Sequence, residues 1–505
     1  MAVFNVSEIF LYNGFNMFFV LLGLVVTAAT SFAAYDYLKE NKFWYYILNL
    51  FYILGFFLVI TTRSWFVFII GWEVVTVATT FMIIWSDKDI ARQYFLVQFT
   101  GSSILLYVIL LAVSMGYNTV GVINETWLQV LFVVGVGMKS GILGLHFWLP
   151  PIHSKAPAPV SAVLSGWVVK LGFITLLKII TGTNQFLLIM GFLMIFYGGI
   201  KALLQTDLKV LLAYSTISQL GFIAIGIGSG SIYGTIGAVF HITAHSLAKT
   251  NLFINSGFLE KEYKTRTIYD IDKIWKRSPV SALAIIVSLL SLMGTFFLTG
   301  YHSKYFIKYS LKSVIYLKLL FHGASIVTVL YSLRLIWWLW IKNIFNKNKK
   351  EGEIKKRNFS PGEYGYSSIL FLIFALFFTG ISPRYIYDEF FMENINFHFI
   401  DGITNYFLYL LLAVLILWKL NWIKTKEKSV PELDDIFKKV NNFLYKISGK
   451  FLEYDTGVFF ESYLYNSIYK ISQSIYNLIY TDFQLQLLWI PTLLMLLYMW
   501  VTFIT

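Results

Sequence analysis

Three ionisable side chains recur at four-residue intervals within one apolar segment of the chain. The segment HITAHSLAKT places His241, His245 and Lys249 at positions i, i+4 and i+8. In an α-helix, residues four apart lie on nearly the same face, so the three side chains would form one polar stripe. Histidine titrates near neutral pH, and a lysine removed from water can also exchange its proton. The stripe therefore predicts a proton relay along this helix.

Four further charged side chains interrupt apolar runs elsewhere: Glu73, Lys139, Lys170 and Lys304. A charge at the centre of a bilayer costs about 2.5–3.5 kcal/mol on insertion scales, so it normally faces a partner or an ion pathway. Left unpaired in lipid, these groups and the stripe together would cost on the order of 10 kcal/mol. We therefore expect them to face one another or enclosed water.

Simpler explanations exist for several of these residues. A lysine near the end of a span often extends to the aqueous interface, which is the main alternative for Lys304. That explanation is weakest for Lys139 and Lys170, which lie well inside apolar runs. Glu73 alone could be a structural, hydrogen-bonded acid. The His-x3-His spacing also fits a buried neutral pair or a metal site, but no nearby carboxylate completes such a site and the sequence has no HExxH motif.

The composition identifies a membrane protein. Of 505 residues, 57% are hydrophobic and 13% are charged, whereas soluble domains have about 25% charged residues. Apolar runs of about 20 residues, the length that a helix needs to cross a bilayer, recur along the chain. The runs are continuous, whereas the strands of a transmembrane barrel alternate. The absence of cysteine excludes disulfides and iron–sulfur ligation by this chain.

The apolar runs predict an all-α polytopic membrane protein with about 14 transmembrane helices. The predicted spans are 10–33, 43–61, 64–85, 90–115, 125–148, 160–182, 186–204, 209–228, 233–258, 279–309 (broken), 314–341, 365–382, 402–420 and 485–504. Four of the nine prolines fall within LPPIHSKAPAP. Proline frees backbone carbonyls that lipid cannot satisfy, so we expect a broken helix beside a cavity there, with a simple loop as the alternative.

Lysine and arginine are distributed unequally between the predicted loops. Loops after odd-numbered spans are rich in both residues, whereas most loops after even-numbered spans have neither. The positive-inside rule therefore predicts a multi-pass protein of the cytoplasmic membrane with both termini outside. The net charge of +13 has the same explanation and does not predict nucleic-acid binding.

Residues 431–484 form neither a loop nor a span. Apolar residues there follow helical spacing, and lysine and aspartate occupy the other face. This pattern predicts a lateral amphipathic helix at the cytoplasmic surface, in contact with another subunit. The alternative is a surface helix packed on its own bundle.

Four sequence blocks resemble the antiporter-like subunits of respiratory complex I. They are WEVVTVATTFMIIW, MKSGILGLHFWLPPIHSKAPAPVSAVLSGWVVKLG, ALLQTDLKVLLAYSTISQLGFI and AVFHITAHSLAKTNLFINSG. The same family serves membrane-bound hydrogenases, ferredoxin-driven complexes and Mrp-type Na⁺/H⁺ antiporters. The resemblance covers residues 13–340 and implies two inverted five-helix repeats, each with a broken helix. It also implies ion half-channels that meet at a central lysine, and the tail resembles the lateral helix of the distal complex I subunit.

The resemblance implies a role for each buried charge. Glu73 matches the acid at the junction between subunits, and Lys139 matches its lysine partner beside the first break. Lys170 matches the central relay residue, and the stripe matches the link across the second repeat. Lys304 matches the terminal residue that opens to the outside. The family often has an Ile-Pro-Pro run before this last lysine, whereas this chain reads GTFFLTG, a departure that weakens the case for a break there.

These observations predict an organisation and a function. The segments are N-terminal spans 1–89, a first repeat 90–205, a second repeat 206–341, C-terminal spans 342–420, a lateral helix 421–484 and an anchor span 485–505. We expect a proton- or Na⁺-translocating subunit of a redox-driven complex related to complex I or membrane-bound hydrogenase. The alternatives are an Mrp-type antiporter subunit without a redox partner and a structural clamp with a vestigial ion path. Expected partners are other membrane subunits, including antiporter-like ones, and the bilayer; no cofactor, metal or nucleic acid is expected.

Overall fold

A computed structural model describes residues 10–341, 361–381 and 399–419. Within these ranges the regular structure is helical, with only isolated β-bridges and no strand. The structure confirms the predicted all-α multi-pass fold. The predicted lateral helix 421–484 and anchor span 485–505 lie outside the described residues, so the total of 14 spans stays a prediction.

Nine helices in the described ranges are long and apolar enough to cross a membrane, and shorter apolar helices accompany them. In chain order the helices are α1 Gly14–Tyr37, α2 Lys42–Thr61, α3 Trp65–Ile84, α4 Lys88–Ser114, α5 Thr126–Ser140, α6 Leu149–Lys155, α7 Ala158–Ile179, α8 Gln185–Leu204, α9 Leu208–Gly228, α10 Ile232–Tyr263, α11 Ile274–Arg277, α12 Pro279–Met293, α13 Thr299–Ser310, α14 Ile315–Trp340, α15 Glu363–Ile381 and α16 Phe399–Lys419. Over their most apolar 18 residues, α7 and α9 are each 94% buried, so they face other helices rather than lipid.

The predicted break in the fifth span lies between α5 and α6. Gly141 and Gly144 adopt φ values of 63° and 90° there, a region that favours glycine because it has no Cβ. The two consecutive prolines fall in the first turn of α6, where missing N–H groups cost no hydrogen bond. Trp148 Nε1 donates to Met138 O at 2.6 Å and so satisfies a carbonyl at the end of α5. Glycine therefore ends the first half-helix and proline begins the second.

The second break separates α12 from α13 and contains no proline. Gly294 follows α12 with φ 89°, and Phe297 adopts φ 68°. A non-glycine residue in this left-handed region costs about 1–2 kcal/mol. The broken helix predicted at 279–309 is therefore confirmed. The GTFFLTG departure does not prevent the break, because a left-handed glycine and a strained phenylalanine turn the chain without proline.

The two half-helices of this second break approach closely at Gly300. A Cβ atom at Gly300 would lie 1.7 Å from Ser291 O. We expect Gly300→Ala to force α12 and α13 apart and to destabilise the protein by about 1–3 kcal/mol, measured as a lower thermal-unfolding midpoint in detergent. Gly323→Ala is the matched control, because its Cβ would meet Phe196 only at 3.6 Å. Equal midpoints for the two variants would contradict the close packing.

The interruptions occupy the fifth and tenth membrane segments, when each broken pair is counted as one segment. The broken segments therefore cross the membrane in opposite directions, because an odd number of crossings relates them. The predicted repeat boundaries, 90–205 and 206–341, stay a prediction. A five-segment period also fits units of 42–179 and 185–341, each with its break in the fourth segment.

Candidate functional site

All seven ionisable side chains selected from the sequence are buried. Their relative exposures lie between 0% and 7%. The described part of the chain contains four ion pairs, and none of them includes any of the seven groups. Their charges must therefore be met by carbonyl and hydroxyl oxygens, by enclosed water, or by loss of the proton.

Lys139 of α5 reaches across to α3 beside Glu73. Its Nζ donates to Thr76 Oγ1 at 2.6 Å and to Trp72 O at 3.3 Å, and lies 4.7 Å from the Trp72 ring centroid. Glu73 and Lys139 interact electrostatically, and the carboxylate faces Ser102 of α4. No ion pair within 4.0 Å joins them. The structure thus brings the predicted pair together on one helix surface without a direct contact.

Lys170 lies two residues after the end of a π-helical turn, Leu164–Val168, within α7. A π turn is wider than an α turn and often marks a functional position. Lys170 Nζ donates to Ser165 O inside this turn. Ser165 Oγ in turn forms a 2.8 Å hydrogen bond with Thr216 Oγ1 of α9. The central lysine is therefore fixed to its own helix by a backbone carbonyl, and that helix is tied to α9.

Lys249 of α10 lies near Lys170. Its Nζ donates to Ser215 Oγ at 2.5 Å and to Leu212 O at 2.9 Å, both on α9. The positive charges of Lys170 and Lys249 act on each other, and no acidic side chain pairs with either among the described residues. Two protonated lysines in this setting would repel each other.

The remaining groups lead towards the second break. The rings of His241 and His245 stack with centroids 6.4 Å apart. His241 Nδ1 forms a 2.9 Å hydrogen bond with Ser303 Oγ, next to Lys304. Lys304 Nζ donates to Met293 O, the last residue of α12, at 3.4 Å. The stripe of α10 therefore connects the central lysines with the lysine at the second break.

The lysines at the two breaks occupy different chemical surroundings. Lys139 lies in the last turn of α5, and Lys304 Nζ binds the last residue of α12. The C-terminal end of a helix has unpaired carbonyls and a partial negative charge, which stabilise a cation. Lys304 Nζ is therefore stabilised by a helix end, whereas Lys139 Nζ binds oxygens of α3 beside Glu73.

His153 belongs to the same cluster, although sequence reasoning assigned it no role. It is fully buried, stacks on Phe253 at 4.6 Å, and neither ring nitrogen has a hydrogen-bond partner. The charges of Lys170 and Lys249 act on it. The sequence signal for His153 was a histidine inside an apolar segment. The prolines around it predicted a break in the helix, and no role was predicted for the histidine itself.

Metal ligation finds no support in the described ranges. No group of three or more His, Asp or Glu side chains there could hold a metal ion. The His-x3-His spacing on α10 instead serves the stacked pair. The broader expectation that this chain binds no cofactor stays a prediction.

Sequence comparisons match the chain to one family model and to relatives named as antiporter subunits. The family described as "NADH:quinone oxidoreductase/Mrp antiporter, TM" matches residues 62–330. A Staphylococcus saprophyticus protein named as antiporter subunit mnhA2 is 27% identical over 418 residues, which cover 72% of this chain and 51% of that protein. The mnhA2 protein of Staphylococcus aureus strain MRSA252 is 30% identical over 66% of this chain and 49% of its own length. The chain thus spans about half the length of the curated relatives it matches.

Two solved structures share the fold. A chain of respiratory complex I from Thermus thermophilus with bound Aureothin aligns with a TM-score of 0.63 at 22% identity, covering 74% of this chain and 85% of that one. A chain of the membrane-bound sulfane sulfur reductase, an archaeal respiratory membrane complex, gives 0.64 at 21%, covering 74% and 80%. The family match covers more than half of the 505 residues and includes both broken helices and all seven buried charges. The protein therefore belongs to the NADH:quinone oxidoreductase/Mrp antiporter transmembrane family.

Proposed function

We propose that this chain is an ion-translocating, antiporter-like subunit of a larger membrane complex. The observation that carries the proposal is the line of buried ionisable groups that runs from Glu73 through Lys139, Lys170 and Lys249 to Lys304 without an ion pair. Such groups are costly in a membrane and are retained where ions or protons move. Protons are the first candidate cargo because lysine and histidine exchange them, and Na⁺ is the alternative.

The mechanism follows from electrostatic coupling between neighbours. A change of charge at Glu73 alters the field at Lys139, which is bound to the same helix. Repulsion between Lys170 and Lys249 means that loading the first with a proton drives a proton from the second. The histidine stripe and Ser303 then offer exchangeable positions on the way to Lys304.

We infer the orientation from the distribution of basic residues. Loops after odd-numbered segments carry most of the lysine and arginine, which supports a cytoplasmic location for these loops and an outside location for both termini. In this orientation the lateral helix predicted at 421–484 would lie on the cytoplasmic side and contact another subunit.

The identity of the partner subunits distinguishes two versions of this function. The names of the curated relatives favour an antiporter subunit, whereas the shared fold with two respiratory complexes favours a redox-driven assembly. Mass spectrometry of the purified complex separates them. Iron–sulfur or hydrogenase-like subunits would support the redox-driven version, and antiporter subunits alone would support an Mrp-type exchanger.

Glu73→Gln tests the translocation proposal. Glutamine keeps the size of the side chain but removes the charge that acts on Lys139. We expect ion uptake by inverted vesicles to fall to about a tenth or less of the parent rate, with the complex still assembled. Glu40→Gln, at an exposed position, is the matched control. Parent-like uptake in Glu73→Gln would remove this acid from the mechanism and favour its structural role.

A further inference from the structure

An open cavity of about 380 Å³ lies at the end of the bundle where α1 and α3 begin and α2 and α7 end. Its lining combines two cations, Arg63 and Lys178, with the polar side chains of Asn16, Thr62 and Thr119. None of these residues belongs to the line of ionisable groups described above. No acidic side chain lines the cavity in the part of the chain that the structure describes, so both ionisable groups of the described lining are basic.

Hydrogen bonds to backbone groups fix the Lys178 side chain and the Arg63 backbone beside the cavity. Lys178 Nζ donates to Ile60 O in the last turn of α2, where the helix end favours a positive charge. Arg63 is exposed on the loop between α2 and α3, and its carbonyl accepts a 2.7 Å hydrogen bond from Val120 N. Neither side chain joins an ion pair in the described ranges. A guanidinium beside an ammonium, without a carboxylate, is suited to bind a phosphate.

An exposed apolar strip of α2 leads away from this cavity. Leu50 and Leu54 are 64% and 50% exposed, and Phe57 continues the strip at helical spacing. The Phe57 ring packs against Phe10 and Tyr12 at centroid distances of 6.3 and 6.4 Å, beside the cavity. A free phosphate would contact only the cations, whereas an acyl chain attached to it would also cover the strip.

We propose that the cavity binds the phosphate headgroup of an anionic phospholipid whose acyl chain lies along α2. Arg63 and Lys178 bind the phosphate, and Thr119 supplies a hydroxyl group at its edge. Basic pockets between transmembrane helices on the cytoplasmic side bind anionic headgroups, and the same pairing of charges applies on the outer side, where this cavity lies in the orientation inferred above. A bound lipid would connect the ends of α2 and α7 with the loop 115–125, and so would stabilise the half of the bundle that contains Glu73 and Lys139.

The test measures binding of phosphatidylglycerol to the purified, delipidated complex by native mass spectrometry. Each charge-assisted hydrogen bond contributes about 1.5–3 kcal/mol, so Arg63→Gln should weaken binding at this site about tenfold or more. The double variant Arg63→Gln/Lys178→Gln should lose the site. Arg92→Gln is the matched control, because Arg92 pairs with Asp89 outside the cavity. Parent-like affinity in Arg63→Gln, which changes only an exposed side chain, overturns the proposal.

Two further arms identify the ligand. Phosphatidylcholine vesicles should not replace phosphatidylglycerol, and equal binding of the two lipids would exclude recognition of the headgroup charge. Inorganic phosphate should stabilise the complex far less than the lipid does. If phosphate alone raises the thermal-unfolding midpoint as much as phosphatidylglycerol, the site takes a free phosphate and the lipid assignment is wrong. Ion uptake need not change in these variants, so the test is independent of the proposed function.

Discussion

Lys170→Arg is expected to abolish ion translocation while the bundle remains folded. Lys170 is fully buried, binds the Ser165 carbonyl, and interacts with the charge of Lys249 rather than with an acid. Translocation through this site requires that the side chain release its proton. Arginine has a pKa above about 12 in proteins and stays charged. We expect uptake of protons or Na⁺ by inverted vesicles to fall by about a hundredfold or more.

Two companion variants separate chemistry from folding. Lys170→Ala removes a costly buried charge, so the complex should assemble, yet translocation should also be lost because no carrier remains. Lys155→Arg makes the same exchange at a surface position, where the new side chain can still pair with Asp87, so its uptake should match the parent. If Lys170→Arg transports as well as the parent, deprotonation at this site has no part in the mechanism, and the structural-clamp alternative gains support.

Lys304→Met should cause a loss of similar size, about a hundredfold. The Lys304 ammonium binds the carbonyl that ends α12 and lies 4.7 Å from the Phe222 ring centroid. Its neighbour Ser303 is bound to His241, so Lys304 terminates the hydrogen-bonded stripe. Methionine retains a similar length and apolar stem, and should preserve packing at the break. The measurement is uptake into inverted vesicles by the assembled complex.

Lys312→Met provides the control for this second experiment. Lys312 is exposed at the end of α13 and donates to Tyr309 Oη at 2.8 Å. Its loss should leave uptake unchanged. Parent-like uptake in Lys304→Met as well would mean that Lys304 is an interface lysine, the simpler explanation that the sequence left open.

The sequence predicted the fold because charge and hydropathy alone determine where helices can cross a membrane. It also selected seven charged residues that prove to be buried, since a charge inside an apolar run must find a polar surrounding. The sequence could not predict which oxygen atoms surround these buried side chains. Thr76, Ser215 and Ser303 look like any hydroxyl residue in an apolar helix, and only packing between helices brings them to a lysine or histidine.

The second break shows a different limit of prediction from sequence. Proline is the visible sequence signal for an interrupted helix, and the segment before Lys304 has none. The interruption depends on positive φ values at Gly294 and Phe297. Glycine is common in these apolar helices, and phenylalanine rarely adopts that conformation. Tertiary contacts, including the approach of Gly300 to Ser291, therefore impose a turn that local propensity does not indicate.

The π turn of α7 divides that helix into two parts with different angular phase. Before Lys170, Gly166 faces α10, where a Cβ would lie 2.2 Å from Thr250 Oγ1; after it, Gly172 faces α5, where a Cβ would lie 1.9 Å from Ser140 Oγ. Each residue added to or removed from a helix rotates the rest of that helix by about 100°. The single extra residue in the π turn therefore sets the rotation of the second part of α7, so that Gly166 faces α10 and Gly172 faces α5. The length of this segment is consequently constrained as tightly as its glycines, and a one-residue deletion would turn Lys170 away from its neighbours.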